Sequence, residues 1–575
     1  MISAAVVAAA VGFVPATAQA AAPSAGPGQA PGANAPAAPA GSAKDTAAQE
    51  SAKAAAAKDS AAKDAAAKSA AAKSAAAKAG KAGGGAAGAA AGTGAAPAAQ
   101  QSYFEVGMGT STDNAHGIGL ATSVSTDLAN SYAAFDIDYG DGSTVVHDYA
   151  KAGDFVYSKH TYAEVGSHKI TITATDLMTK TTATTTKDVV VDGSEFTPTA
   201  PARLLDTRDG TGTAAGGPVA AFGTTRVKVA GNAGIPAGVS AVVLNITATN
   251  TAAPGHVIAY ASGKARPATS NVNFAAGQTV PNLAVVPVGE DGYVELANRS
   301  GGTVDLIADV TGYFTRSAAN GYTSVQPSRL VDTREGLGTA RGQVAAQSTF
   351  GVRIAGQGAL PAQGVTAVAL NVTVTDPQGP GHLTVFPGGQ QAPSTSNVNF
   401  AAGQTVANAV IVPVGPDGRI SIRNGAAFPA DVIVDVTGYY SADGKAAYLP
   451  VEPTRLYDSR GTFPLPLDGQ AYYHQSVWTS GRALEALVLN TTVTNPQGSG
   501  HLSVAPDPNT IDDYMAGKAV RPTPPTSSVL NWTKDATVSN LVQASTGTTG
   551  IVDFFNRGWQ PTDLIVDLFG AYDKN

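Results

Sequence analysis

At 575 residues, with 65 Gly, 35 Pro and only 14% charged and 6% aromatic residues, the chain fits several β-rich domains preceded by a low-complexity stretch. It contains no cysteine, which excludes disulfide-stapled modules and thiol chemistry and leaves burial and hydrogen bonding to hold every domain. The formal charge of −7 is unevenly spread: residues 23–101 carry eight Lys against four acidic residues, and 28 basic and 39 acidic residues follow.

Residues 1–20, MISAAVVAAAVGFVPATAQA, form an apolar run ending in Ala18-Gln19-Ala20, the small-x-small pattern of signal peptidase cleavage, so secretion is expected. Gly12 and Pro15 interrupt the run, and it is shorter than the roughly 20 residues a spanning helix needs. No transmembrane anchor is expected there or later. The arm at 21–102 is rich in Ala, Lys, Gly and Pro, with Lys53, Lys58, Lys63, Lys68, Lys73 and Lys78 spaced by five. That spacing turns about 140° per step, so the charges spiral around a helix and leave no apolar stripe to bury. The arm reads as a helical or disordered spacer. Its Lys excess permits salt-sensitive contact with an anionic polymer, without the Arg and aromatic residues of specific nucleic-acid recognition.

Between 103 and 193 the runs AAFDIDYG and KITITATD alternate with the period of strands. Tyr139-Gly140-Asp141-Gly142, His160-Thr161-Tyr162, Gly166 and the run Ile170–Asp176 stand in an order and spacing that resemble the landmarks of PKD domains. The resemblance implies an Ig-like sandwich with Tyr139 and Tyr162 in the core and a tight turn at Gly140 and Gly142. It also implies a spacer or adhesive module of the extracellular space. Asp136, Asp138 and Asp141 are candidate calcium ligands, because hard carboxylate oxygens at a turn suit that ion. Their spacing fails the D-x-D-x-D-G loop, however, and Asp141 reads more simply as a turn residue bonding its own backbone.

The remainder repeats itself three times. RLLDTR at 203–208 returns as RLVDTR at 329–334 and RLYDSR at 455–460, two steps of 126 residues, each long enough to bury a core of its own. Three domains strung like beads are therefore expected, at 197–316, 323–441 and 447–573. The first holds about eight short strands: RLLDTR, TRVKVAG, AVVLNITATN, HVIAYA, TSNVNF, VPNLAVVPV, YVELAN and VDLIADVTGYF, parted by turn signals such as Asp291-Gly292. The fold class is all-β: tandem sandwiches, one Ig-like and three jelly-roll-like. The motifs RLLDTR, TSNVNF, GQTV and DVTGYF resemble a tandem module of secreted actinobacterial proteins, which implies an extracellular location and carries no catalytic residue over.

Few residues suggest chemistry. Leu204, Asp206 and Arg208 alternate onto one face of the first strand, and Asp309 on the closing strand can meet Arg203 or Arg208. The set recurs as Arg329, Asp332, Arg334 and Asp435, and as Arg455, Asp458, Arg460 and Asp567. Paired carboxylates serve glycoside hydrolysis, but an Arg beside them keeps both ionised and removes the general acid. An ion-pair latch between first and last strands explains them better. The Gly-rich stretch after each motif precedes a strand and not a helix, so it is no dinucleotide loop.

Asn245, Asn371 and Asn490 stand in N-x-T sequons and are read as strand-end hydrogen-bonding residues. Asn273, Asn282, Asn399, Asn408, Asn531 and Asn540 are candidate contacts for sugar hydroxyls. His256, His382 and His501 sit at turns, where a metal site would need partners supplied by the fold. Neither GxSxG nor HExxH occurs, and no cofactor is called for. The expectation is a secreted, non-catalytic protein that binds a cell-wall polymer, glycan or extracellular protein through repeated sites, or failing that a spacer, or accessory modules of an extracellular hydrolase.

Overall fold

Alternation of apolar and polar residues gives the first module its two layers. In the computed structural model, which describes residues 103–112, 114–213, 216–461, 464–476 and 484–574, this module holds seven strands. They are β1 (Phe104–Thr112), β2 (Gly117–Thr126), β3 (Tyr132–Asp138), β4 (Val146–Lys151), β5 (Val156–Thr161), β6 (Ser167–Asp176) and β7 (Thr182–Val190). Antiparallel sheets β1-β2-β5 and β4-β3-β6-β7 enclose Phe135, Ile137, Ile170 and Ile172. Tyr139 and Tyr162 are buried with them, and Gly140 and Gly142 take φ of 76° and 78° in the turn between β3 and β4. The expected signal segment 1–20 and the arm 21–102 lie outside the described residues. No helix among the described residues is long and apolar enough to cross a membrane.

The first repeat has the eight strands its sequence announces: β8 (Glu195–Asp206), β9 (Thr224–Lys228), β10 (Ala241–Thr249), β11 (Gly255–Ala261), β12 (Val272–Phe274), β13 (Val280–Pro287), β14 (Tyr293–Asn298) and β15 (Asp305–Thr315). They form an inner sheet, β13-β10-β15-β8, and an outer sheet, β12-β11-β14-β9. Val242, Leu244 and Ile246 of β10 meet Val257, Val294 and Leu296 of the outer sheet in the repeat's own core. The second repeat, from Gly321–Asp332 to Asp431–Ser441, and the third, from Ala447–Asp458 to Asp563–Asp573, have the same two sheet orders. After the first strand of the first two repeats comes a close approach that only glycine allows: a Cβ on Gly212, at φ 72°, would lie 2.1 Å from the Leu204 carbonyl oxygen, and one on Gly338, at φ 66°, 2.0 Å from that of Leu330.

The inner sheets are buried on both faces, which overturns the expectation of separate beads. Residues of β10 that point away from the repeat's own core, Ala241 and Val243, join Ala367 and Ala369 of the second repeat and Ala486 and Val488 of the third in one further core. Six aromatic rings pack there in a cycle. Phe196 packs on Tyr440 with centroids 4.4 Å apart, Tyr322 on Tyr572 at 4.2 Å and Tyr448 on Phe314 at 4.6 Å, each pair joining two repeats.

Backbone bonds close the same cycle. The Phe196 amide donates to Asn320 O at 3.0 Å, Tyr322 to Ala446 O at 2.8 Å and Tyr448 to Ser194 O at 2.7 Å. The three repeats thus form a closed ring with pseudo-threefold symmetry inside one chain. Gln543 stands where the other repeats have Val285 and Ile411, and its amide donates to the hydroxyls of Tyr440 and Tyr572, both at 2.6 Å. The first module rests on the ring through the Ser194–Tyr448 bridge, and Ala447 belongs to its core.

Candidate functional site at the seams between repeats

A bulge builds the Arg/Asp cluster of each repeat. In the first, Leu205 pairs with Ala308 and Arg203 with Asp309, so Leu204 is an extra residue in β8. Both leucines point into the core, and the expected face shared by Leu204, Asp206 and Arg208 does not exist. The same bulge brings Arg203 and Asp206, three residues apart, to one side. Arg203 Nε and Nη2 donate to the two oxygens of Asp309 at 2.9 and 3.2 Å, and Nη1 to Asp206 at 3.0 Å. Arg208 binds Asp206, with Nη2 at 2.7 Å, and does not reach Asp309.

Arg329 bridges Asp435 and Asp332 at 3.0 and 3.1 Å, and Arg455 bridges Asp567 and Asp458 at 2.8 and 3.1 Å; Arg334 and Arg460 hold Asp332 and Asp458. Hydrogen bonds from Arg208, Arg334 and Arg460 hold Asp206, Asp332 and Asp458 below the usual carboxylate range. Burial pushes Asp309, Asp435 and Asp567 up, against the opposing pull of Arg203, Arg329 and Arg455.

Each cluster also touches the next repeat. The amides of Ser270 and Ser528 donate to Asp567 and Asp435, both at 3.4 Å. Asn245, Asn371 and Asn490, the sequon residues, donate across the seams to the carbonyls of Ser396, Ser528 and Ser270 at 2.7, 2.6 and 2.7 Å. They accept from Asn408, Asn540 and Asn282 respectively, each at 2.9 Å. The carbonyl oxygens of Asn408, Asn540 and Asn282 in turn accept from the amides of Leu283, Ala409 and Leu541.

Asn282, Asn408 and Asn540 are therefore buried struts with every polar atom taken, and no sugar reaches them. This corrects the expectation of sugar contacts at these three, because their partners lie in a neighbouring repeat. Asn273, Asn399 and Asn531 are different. They lie half-buried beside Ser270, Ser396 and Ser528, bonded to those hydroxyls at 3.1, 3.3 and 3.4 Å, and in register with His256, His382 and His501.

These histidines are half-buried too, and their ring nitrogens make no hydrogen bond among the described residues. Burial, then Arg557, then Arg329 hold His501 down at about 4 against an ordinary 6.5. A His depressed in the folded state binds fewer protons than in the unfolded chain, so its stabilising contribution is complete above pH 6.5 and is lost as pH falls toward 4. At ~1.4 kcal/mol per pH unit this amounts to roughly 3 kcal/mol. His501→Gln should flatten the dependence of unfolding free energy on pH across that window; an unaltered slope would place the acid sensitivity elsewhere.

Two clusters lie away from the seams. In the first module Asp136 bonds His147 at 2.6 Å, Asp138 accepts from the Gly140 amide at 2.8 Å, and Asp141 accepts from the Ser143 amide at 3.0 Å and holds His160 at 2.7 Å. The three carboxylates are spent on separate partners, and no metal-ligating group of three or more assembles among the described residues.

In the third repeat a longer connection, 507–529, covers the outer sheet and includes a short helix, Ile511–Met515, capped by Thr510. Beneath it Asp553 is fully buried without a donor for either oxygen, and burial, then Asp507, pushes it up to about 9. That shift favours the neutral acid beside Asp507, which accepts from Tyr514 and Asn509 at 2.6 and 2.8 Å. Sequence reasoning passed over this pair, as it did Ser270, Ser396 and Ser528, because the groups that define them come from distant strands.

No known protein family and no curated protein matches the chain. Among solved structures it is similar to a SusE-like protein at 10% identity, covering 36% of this chain and 96% of that one, with a TM-score of 0.12. It is similar to a protein of the Sulfolobus turreted icosahedral virus at 9% identity, covering 62% and 84%, with a TM-score of 0.13. A tetra-tandem repeat from the extending region of a large adhesion protein is 13% identical over 82% of this chain and 99% of its own, with a TM-score of 0.13. Likeness at this level carries no argument about function.

Proposed function

We propose that the protein is a secreted, non-catalytic component of the cell surface or extracellular space, in which a PKD-like module and a ring of three sandwiches bind a cell-wall polymer, a glycan or an extracellular protein. The observation that carries this reading is the seam: one polar arrangement of Arg, Asp, Asn and His is presented three times at fixed spacing around a rigid ring. Weak sites so held gain avidity on a repeating target. The absence of a general acid beside the Arg-paired carboxylates of the seams weighs against hydrolysis there.

Cosedimentation of the full chain with isolated cell walls and insoluble polysaccharides, at low and high salt, tests it. Retention that falls when Asn273, Asn399 and Asn531 are together changed to Ala is expected. Recovery of the whole protein in the supernatant under every condition would reduce the ring to a spacer. Deleting repeats one by one would not test it, since each deletion opens the shared core.

A further inference from the structure

The three seams are not equivalent in charge. Arg299 follows β14 and its amide donates to the His256 carbonyl at 2.8 Å; Arg557 does the same to His501 at 2.9 Å. The corresponding residue beside His382 is Gly425, whose amide bonds His382 O at 2.9 Å and over which the imidazole lies, close to where a Cβ would stand. The guanidinium that acts on His382 is instead that of Arg423, from the same repeat, which Gln347 holds at 2.8 Å. Arg299 and Arg557 make no ion pair among the described residues, and Arg299 is steadied by the Phe222 ring at 5.2 Å.

From the adjoining repeat, the charge of Arg455 bears on His256 and that of Arg329 on His501, each Arg anchored on its two aspartates. Guanidinium groups of two repeats therefore act on each of these two imidazoles, and one of the two makes no ion pair among the described residues. Its own nitrogens are uncommitted, and the nearest carboxylates already belong to the opposite Arg. A group of negative charge is what this arrangement lacks.

We propose that two seams carry anion sites, one formed by His256, Arg299 and Arg455 and the other by His501, Arg557 and Arg329, each taking a phosphate or carboxylate group of a polymeric ligand. The seam at His382 carries none. The biological meaning of these sites rests on the surface-binding reading above, while their existence does not. An anion there would supply acceptors to both guanidinium groups and to a protonated imidazole, so binding and His protonation would reinforce each other.

The test is the titration of the imidazole C2 protons by NMR in the full chain. It is run in chloride, in inorganic phosphate and in glucuronate at matched ionic strength, with signals assigned by His256→Gln, His382→Gln and His501→Gln. The apparent pKa of His256 and His501 should rise by about one unit in at least one of the two anions, and that of His382 should not. Phosphate alone acting would point to phosphodiester polymers, glucuronate alone to uronic acid polymers, and both to the shared anion chemistry. Arg299→Gln should abolish the effect at His256 only, and Arg557→Gln at His501 only.

No shift at either site, an equal shift at His382, or shifts that survive the Arg substitutions would overturn the proposal. Cell-wall retention that persists in the Arg299→Gln/Arg557→Gln variant would remove these sites from polymer docking while leaving the surface-binding function standing.

Discussion

A single repeat, residues 195–315 expressed alone, should not behave as a stable monomer but should assemble into a trimer. Removed from the ring, it would expose Phe196, Val243, Leu283, Val285 and Phe314, all now buried in the core shared by three repeats. At ~1.5–3 kcal/mol for each large apolar side chain this forfeits roughly 8–15 kcal/mol, as much as the whole stability of an ordinary domain. The seams say how the loss is recovered. Asn245 of one copy would meet Asn282 of the next, and Asp309 would meet Ser270, as Asn490 meets Asn282 and Asp567 meets Ser270 in the intact chain. A heterologous contact whose rotation closes after three copies yields a ring and not a fibre. Sedimentation equilibrium decides the matter: a trimer, or a chain without a cooperative thermal transition, is expected, and a monomer that melts cooperatively would show that the shared core is dispensable.

The strands of each repeat were legible because Gly, Pro and Asp-Gly signals bound short β-prone runs, and the observed β8 to β15 fall on those runs. The ring was not legible, although its trace is in the text. AVVLN in β10 and LAVVP in β13 are apolar without alternation but for the terminal Asn, as a sheet covered on both faces requires, and only a neighbour can cover the second face. Asn282 was misjudged for the same reason: its partner, Asn490, lies 208 residues away in another repeat. The latch could be anticipated as a pairing of Arg203 with Asp309, but not the bulge at Leu204 that also brings Asp206 to the same guanidinium. Bulges follow from the packing of two leucines into one core, which periodicity does not record. The difference between the seams was equally silent, because Arg299, Gly425 and Arg557 acquire meaning only once the histidines are seen beside them.

Arg329→Ala should be among the most damaging single substitutions in the ring. Asp435 is fully buried at the seam between the second and third repeats, and Arg329 supplies its charge partner through Nε at 3.0 Å. The remaining contact, the Ser528 amide at 3.4 Å, is too long to compensate a carboxylate. Removing one member of a buried pair costs about 3–5 kcal/mol, because the other charge stays behind without solvent. The loss should depend on pH in a definite sense. Burial already raises Asp435 above its ordinary 3.8, and without Arg329 it rises further, so the penalty is full at neutral pH. It shrinks as pH falls through the raised folded value and vanishes below 3.8, where the carboxyl is protonated in folded and unfolded chains alike. Replacing both partners, Arg329→Met with Asp435→Leu, should restore much of the lost stability, since the unpaired buried carboxylate is then gone and Asp332 keeps Arg334 at 2.7 Å. Urea denaturation of the three proteins at pH 7 and pH 4 makes the comparison. A cost for Arg329→Ala below about 1 kcal/mol, or one that does not diminish in acid, would mean that water reaches Asp435 and that the latch is a surface ion pair.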